Sequence, residues 1–157
     1  MVGHQVGDDN IAYIDQTADQ GYNNALVIQT GDDNGLLAVQ NAGSYNGLIV
    51  GQTGGLNNID LSQEARGYNL ADIDQIAGGN SLDASQVAAA GSNELWVDQQ
   101  GDCSASVTQN SASGNNVANI TQTGDSNTAE SYQTGNGYSS SIDQSGVGNF
   151  LSVIQGP

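Results

Sequence analysis

Residues 122–133 read Q-T-G-D-S-N-T-A-E-S-Y-Q, and versions of this stretch recur along the whole chain. Between Asn127 and Gln133 every second residue is small, which is the period-two pattern of a β-strand. The Q-x-G-x-x-N segment before it places Gly124 where a tight reversal needs backbone angles that other residues avoid. The stretch therefore predicts a turn followed by a strand.

Glutamine marks the repeat along the chain. Fourteen of the sixteen glutamines follow one another at steps of 10 to 13 residues, and the double step of 22 to 24 residues is the repeating unit. Such a period is typical of repeat proteins, in which each unit is covered by its neighbours. The predicted glutamine ladder comprises Gln5, Gln16, Gln29, Gln40, Gln52, Gln63, Gln75, Gln86, Gln99, Gln109, Gln122, Gln133, Gln144 and Gln155.

Asparagine stands six residues before eleven of the thirteen glutamines that follow the first. Cys103 and Tyr138 occupy the two remaining positions. Inward-facing amides stacked along a solenoid are expected to bond to those above and below, as in cross-β packing. The predicted asparagine ladder comprises Asn10, Asn23, Asn34, Asn46, Asn57, Asn69, Asn80, Asn93, Asn116, Asn127 and Asn149.

Charge is sorted between the two faces of the predicted strands. Positions three and five of each seven-residue segment are apolar in 24 of 26 cases, with Ser131 and Ser140 as the departures. Nine of the 17 acidic residues fall on the opposite face, and the others, with Arg66, fall between strands. A hydrophobic content of 36% and a net charge of −16 also occur in disordered chains, so disorder of the unassembled chain stays an alternative.

These patterns predict an all-β fold, a β-solenoid of about seven strand–arc–strand repeats that stacks into a cross-β fibre. The chain is expected to form a single domain, residues 1–157, with units near 1–16, 23–40, 46–63, 69–86, 93–109, 116–133 and 138–155. The predicted arc glycines are Gly7, Gly31, Gly54, Gly101, Gly124 and Gly146. Neither end unit has a polar cap, so unpaired strand edges and head-to-tail polymerisation are expected.

Composition excludes several functions. One Lys or Arg against 17 acidic residues leaves nothing to neutralise phosphate, so no nucleic-acid partner is expected. There is no apolar run long enough for membrane insertion, and Met1 to Gln5 lacks the pattern of a signal peptide, as in a mature form. The chain has no lysine and no inward carboxylate, and its only histidine, His4, is expected to lie in a frayed end. The sequence therefore predicts neither enzymatic activity nor a bound cofactor.

Alternatives remain at a few residues. The oxygens around Asp8-Asp9-Asn10 and Asp32-Asp33-Asn34 could bind calcium, although solvated loops are the simpler interpretation. Cys103 could be a buried inert thiol or a cross-linking one. Trp96 and the outward Tyr13 and Tyr132 could form a binding strip. A monomeric β-solenoid module, such as an adhesin or an ice-binding protein, is the alternative class of function.

The repeat resembles the curlin repeat, S-x5-Q-x-G-x2-N-x-A-x3-Q. Residues 5–16 and 122–133 match its second half at every fixed position, and the resemblance extends over residues 5–155. Where the family usually has serine at the first strand position, this chain has asparagine or Tyr138. The resemblance identifies the chain as similar to subunits of curli, the bacterial amyloid fibres of the biofilm matrix.

The resemblance also implies partners and a location. Family members are secreted unfolded through a dedicated outer-membrane pore and form extracellular, pilus-like fibres at the cell surface. A minor curlin with a divergent, basic terminal repeat nucleates them. Here the last repeat keeps its motif and the chain is acidic, which favours a major subunit that forms a homopolymer; a minor curlin nucleator is the alternative.

Overall fold

A computed structural model describes residues 1–90 and 92–157. Within these ranges the chain forms fourteen β-strands and no helix, and accordingly no helix that could cross a membrane. The strands are β1 Val2–Val6, β2 Ile11–Ala18, β3 Tyr22–Thr30, β4 Gly35–Ala42, β5 Tyr45–Thr53, β6 Asn58–Ala65, β7 Tyr68–Ile76, β8 Ser81–Ala88, β9 Ser92–Gln100, β10 Ser104–Ser111, β11 Asn116–Thr123, β12 Thr128–Thr134, β13 Ser139–Ser145 and β14 Phe150–Gln155.

The strands form two seven-stranded sheets. Odd-numbered strands make one sheet in the order β1-β3-β5-β7-β9-β11-β13, and even-numbered strands make the other, from β2 to β14. Every pair is parallel, so the chain passes from one sheet to the other and returns one level further along. Seven such turns form a β-solenoid, which confirms the predicted fold class.

The register follows the glutamines. Gln5 pairs with Gln29 in the odd sheet, and Gln16 pairs with Gln40 in the even sheet. Repeats of different length keep this register because the extra residues lie in the connections. We call the connection from an odd to an even strand the first arc, and the connection to the next odd strand the second arc.

The core is a thin layer of aliphatic side chains between the sheets. Leu48, Ile59, Leu61 and Ile73 are each at most 1% exposed. Parallel sheets are usually covered on both faces and read as continuous apolar runs. Here the outer faces are open to solvent, so the strands alternate between apolar and polar residues instead.

Strand boundaries differ from the predicted seven-residue segments. The even strands from β2 to β10 begin after the asparagine position and continue two residues beyond their glutamine, which adds one further inward position, whereas β12 and β14 end earlier. The extra position is filled by small buried residues, Ala42, Ala65, Ala88 and Ser111. The first strand already begins at Val2, so the expectation that His4 lies in a frayed end is wrong.

The first arc has a conformation that favours glycine. The six predicted arc glycines have φ between 88° and 115°. A Cβ added to Gly31 would lie 2.0 Å from the carbonyl oxygen of Gly54 in the next turn, so the arcs stack too closely for a side chain. Ala77 stands in the corresponding arc of the fourth turn, with φ of 69°.

Candidate functional site: amide columns and open strand edges

The structure brings the fourteen predicted glutamines into two columns, one per sheet. In the odd column, from Gln5 to Gln144, each Nε2 donates to the Oε1 of the next rung at 2.5 to 3.1 Å. The even column, from Gln16 to Gln155, has the same direction at all six steps. An uninterrupted chain of bonds satisfies these buried amides, which would otherwise be costly to bury.

The odd column also ties the two sheets together. Each Nε2 has a second hydrogen, and Gln52 donates it to the carbonyl oxygen of Gly35 at 3.1 Å. Gln75 donates to Asn58 O at 3.3 Å, and Gln99 to Ser81 O at 3.2 Å. These acceptors lie at the start of even strands, so the glutamines fix the geometry of the first arc.

The asparagines of the first arc form a well-bonded column. Asn57 Nδ2 donates to Asn34 Oδ1 at 3.0 Å and to Ala77 O at 2.9 Å. Its Oδ1 accepts from both the backbone nitrogen and Nδ2 of Asn80. This first asparagine column comprises Asn10, Asn34, Asn57, Asn80, Asn127 and Asn149, and Cys103 interrupts it.

The asparagines at the start of odd strands behave differently. This second asparagine column comprises Asn23, Asn46, Asn69, Asn93 and Asn116. Asn46 donates to Asn23 Oδ1 at 3.3 Å, but the side chains of Asn69 and Asn93 are fully buried and have no hydrogen-bond partner among the described residues. The expectation of a bonded amide at every rung therefore fails at Asn69 and Asn93, whereas Asn116 donates to Asn110 O and accepts from Tyr138 N. Asn69 and Asn93 lie within strands, whose carbonyls pair in the sheets, whereas the first column reaches arc carbonyls such as Gly54 O and Ala77 O.

Cys103 takes over part of the role of the asparagine that it replaces. Its Sγ lies 3.0 Å from Gly124 O and 3.2 Å from Gln100 O, and its backbone nitrogen donates to Asn80 Oδ1 at 3.1 Å. The thiol is free and buried. Burial raises the pKa of the Cys103 thiol, while hydrogen bonds from Asn127 partly offset the increase. The thiol form is therefore favoured, which fits the interpretation of an inert, buried cysteine.

The two inward serines form a pair. Ser131 Oγ and Ser140 Oγ lie 2.6 Å apart across the core, one in β12 and the other in β13. Each hydroxyl therefore satisfies the other, which makes two buried polar groups compatible with an otherwise aliphatic layer. Sequence reasoning identified both serines as departures but did not predict that they meet.

Two further features were missed. The small inward residues two positions after even glutamines are signalled by Q-x-A in Gln40 to Ala42 and in Gln63 to Ala65. A tyrosine precedes the asparagine at the start of β3, β5 and β7, and two of these rings stack: the centroids of Tyr45 and Tyr68 lie 5.0 Å apart, with the planes 7° from parallel.

The acidic residues lie on the outer faces and arcs. Asp74 pairs in register with Asp98 on the neighbouring strand, and Asp72 stands two residues before it. Partial burial raises the pKa of the Asp74 carboxyl, with further contributions from Asp98 and Asp72. Within residues 1–90 and 92–157, no group of three or more acidic, histidine or cysteine side chains is placed to hold a metal ion, the arcs at Asp8 and Asp32 included.

The two ends of the solenoid are open. In the described chain β1 and β2 pair on one side only, and so do β13 and β14 at the opposite end. At the first end a cavity of 240 Å³ opens into the core, lined by Gly3, Ala12, Ile14 and Val27 among others. At the other end β14 presents Phe150, Leu151 and Ile154, which are 65%, 41% and 76% exposed.

The geometry defines a two-sheet parallel β-solenoid with an amide-lined core and an unpaired strand edge on each sheet at both ends. Residues 114–146 match the family model described as the curlin associated repeat. This match, over 33 of the 157 residues, supports the predicted resemblance to the curlin family. Searches of curated proteins and of solved structures each found no match.

Proposed function

We propose that this protein is a structural subunit of an extracellular, curli-like amyloid fibre of the bacterial biofilm matrix. In this proposal residues 1–157 act as one curlin-repeat domain and subunits join head to tail. The observation that carries the proposal is the matched polarity of the two open ends. The glutamine and asparagine columns are its structural residues, and no catalytic role is assigned to them.

The strand edges supply the backbone part of the joint. A second copy placed beyond β13 and β14 would pair its β1 with β13 and its β2 with β14. Exposed parallel edges of this kind are templates for another chain. The contact is heterologous and does not close on itself, so it generates an open filament.

The glutamine columns specify the orientation of the incoming copy. At the far end Gln144 Nε2 donates to Thr128 O and Gln155 Nε2 donates to Ser139 O, so each keeps one hydrogen for a further rung. At the near end, Gln5 and Gln16 donate to the next glutamine of their column but accept from none. Their Oε1 atoms therefore remain as acceptors for a further rung. Head-to-tail stacking joins donors to acceptors, whereas an inverted copy would oppose like groups.

The first asparagine column runs in the opposite direction and supports the same joint. Asn149 Nδ2 donates to Asn127 Oδ1 at 3.0 Å, so its own Oδ1 is the acceptor at the far end. In a stacked pair, Asn10 of the next copy would donate to this oxygen. Four steps inside the chain already use the same bond, as in Asn57 to Asn34, and Cys103 interrupts the series.

The core contributes shape to the joint. Gly3 pairs in register with Val27, so the first turn lacks an aliphatic side chain at this inward position. The resulting cavity would receive the inward residues of the last turn of another copy, of which Leu151 is exposed and Val153 half-buried. Covering these residues would bury apolar surface that the single chain leaves in contact with water.

The experiment compares two substitutions in β14. Val153→Lys places a charge on the inward face of the edge strand, and Ser152→Lys places the same charge on its outward face. We expect the parent chain and Ser152→Lys to form fibres that bind thioflavin and diffract at the 4.7–4.8 Å strand spacing. Val153→Lys should stop elongation, because a buried lysine at the joint has no partner.

Circular dichroism of the dilute proteins is the control, since both variants should keep the β spectrum of the parent. Fibres of Val153→Lys that grow as fast as the parent would contradict the head-to-tail joint. A parent chain that stays monomeric at high concentration would instead favour the alternative of a soluble adhesin or ice-binding module.

The finer assignments rest on the family resemblance. We propose a secreted, cell-surface major subunit that leaves the cell through a dedicated outer-membrane pore and is seeded by a nucleating minor curlin. The acidic chain and a last turn that continues both glutamine columns support the role of major subunit over nucleator. A major subunit should assemble after a long lag, and added fibre seeds should shorten that lag. Assembly without a lag would instead favour the role of nucleator.

A further inference from the structure

Three tyrosines occupy one column beside the second arc, at the starts of β3, β5 and β7. Tyr22 pairs in register with Tyr45, and Tyr45 pairs with Tyr68. Only the second of these pairs is stacked among the described residues, with ring centroids 5.0 Å apart and an interplanar angle of 7°. Tyr22 is 82% exposed. The column therefore contains one ordered pair of phenols in neighbouring turns.

The ring of Tyr45 lies beside Gly47. A Cβ added to Gly47 would lie 3.3 Å from Tyr45 Cε1 and 2.9 Å from Leu70 Cδ1. The ring thus occupies space over the outward face of β5 that a side chain at residue 47 would fill. Tyr45 and Tyr68 are both half-buried, so one edge of the pair stays open to small reagents.

We propose that Tyr45 and Tyr68 form an oxidative cross-linking site, at which a peroxide-driven haem peroxidase or an equivalent one-electron oxidant joins the two rings as dityrosine. Each phenol loses one electron and one proton to give a tyrosyl radical. The radicals couple through the ring carbons next to the oxygen, one C–C bond forms, and the two ring hydrogens move to the oxygens. One hydrogen peroxide accepts two electrons and two protons and yields two waters, which balances the reaction.

Position within the coil distinguishes this pair from Tyr13 and Tyr132. Tyr13 has Leu37 as its register neighbour, and Tyr132 lies between Thr108 and Ile154. These rings have no aromatic neighbour one turn away. The cross-link would join the third and fourth turns within one chain, and it does not depend on fibre formation.

The chain provides a direct assay for this bond. Arg66 is its only Lys or Arg, and it lies between the two tyrosines. Trypsin therefore cuts the denatured chain once, into residues 1–66 and 67–157. We expect that dilute monomer treated with peroxidase and hydrogen peroxide yields fragments that stay covalently joined after complete cleavage, together with the fluorescence of dityrosine.

Phenylalanine variants serve as matched tests, because they keep the ring and remove the phenol. Tyr45→Phe and Tyr68→Phe should each abolish the joined species, while Tyr13→Phe and Tyr132→Phe should leave it unchanged. Unchanged circular dichroism of all four would show that folding is not the cause. Joined fragments in Tyr45→Phe, fully separated fragments from the oxidised parent, or cross-linked dimers in place of joined fragments would each overturn the proposal.

Discussion

At the scale of single residues, the same amide has different consequences at the two kinds of arc. Asn57 makes three donor contacts and accepts two hydrogen bonds, whereas the equally buried Asn69 makes none. A buried polar group without a hydrogen-bond partner lowers the free energy of unfolding. Breaking a buried hydrogen bond has the same effect, because it leaves the former partner unpaired. Burial alone is therefore a poor guide to how much an asparagine stabilises this fold.

Substitution by alanine separates the two situations. We expect Asn57→Ala to lower the free energy of unfolding by about 2–3 kcal/mol, because it removes hydrogen bonds to three backbone groups and to two buried asparagine side chains. Asn69→Ala removes a group without partners and should cost less than about 1 kcal/mol, mainly through lost packing. Urea titration of the dilute monomers measures both values. Equal losses would show that the second column is hydrogen-bonded in solution.

At the scale of strands, β7 and β9 carry the densest charge on the outer face. Asp74 faces Asp98 on one side and Gly51 on the other, and Asp72 is its neighbour along the strand. Partial burial, then Asp98 and Asp72, raise the pKa of Asp74 above its ordinary value of 3.8. The folded state therefore binds its proton more tightly than the unfolded state does, and this contribution to stability grows as the pH falls.

Neutralising this carboxylate should stabilise the fold. Asp74→Asn is expected to raise the urea midpoint at neutral pH, because the repulsion between the carboxylates is removed. The parent chain should gain stability as the pH falls from neutral towards the ordinary carboxyl pKa, and this gain should be smaller in Asp74→Asn. The matched control is Asp15→Asn, whose register neighbour is Val39. A larger gain in the control, or a gain in stability with rising pH, would contradict this account.

At the scale of the whole molecule, the sequence predicts the repeated features of the fold. It does not predict the contacts that depend on the conformation of the connections. The alternation around Ala129, the glutamine spacing and the outward acids predict strands, turns and facing, because side-chain direction in a strand follows from period alone. The two-sheet solenoid confirms that part. The contacts of the second asparagine column could not be predicted, since they depend on which backbone carbonyls the strands leave free.

The same limit applies to contacts between side chains in different turns. Ser131 and Ser140 were identified as exceptions, but their pairing needs the depth of the core and the rotamers of both residues. The stack of Tyr45 on Tyr68 likewise needs the register of β5 on β7 and the space above Gly47. Spacing gives the level of a residue in the coil, whereas packing decides what it touches there.

The outward sorting of acids has a consequence for the assembled filament. The chain has a net charge of −16, and seven turns at about 4.8 Å make a segment of about 34 Å, or one net charge for every 2 Å or so. Duplex DNA carries one charge per about 1.7 Å and holds a condensed layer of cations. A filament of this protein would be a polyelectrolyte of similar linear density, wrapped in its own counterion atmosphere.

Elongation should therefore accelerate as salt is added, because each arriving subunit must be neutralised against the charge already on the filament. At equal ionic strength magnesium should be more effective than sodium, since divalent ions condense more readily on a dense line charge. Thioflavin kinetics at fixed protein concentration measure both effects. The elongation rate could instead be independent of salt, or the same in the two cations. Either result would mean that the acidic residues are too far apart along the filament to act as one continuous charge.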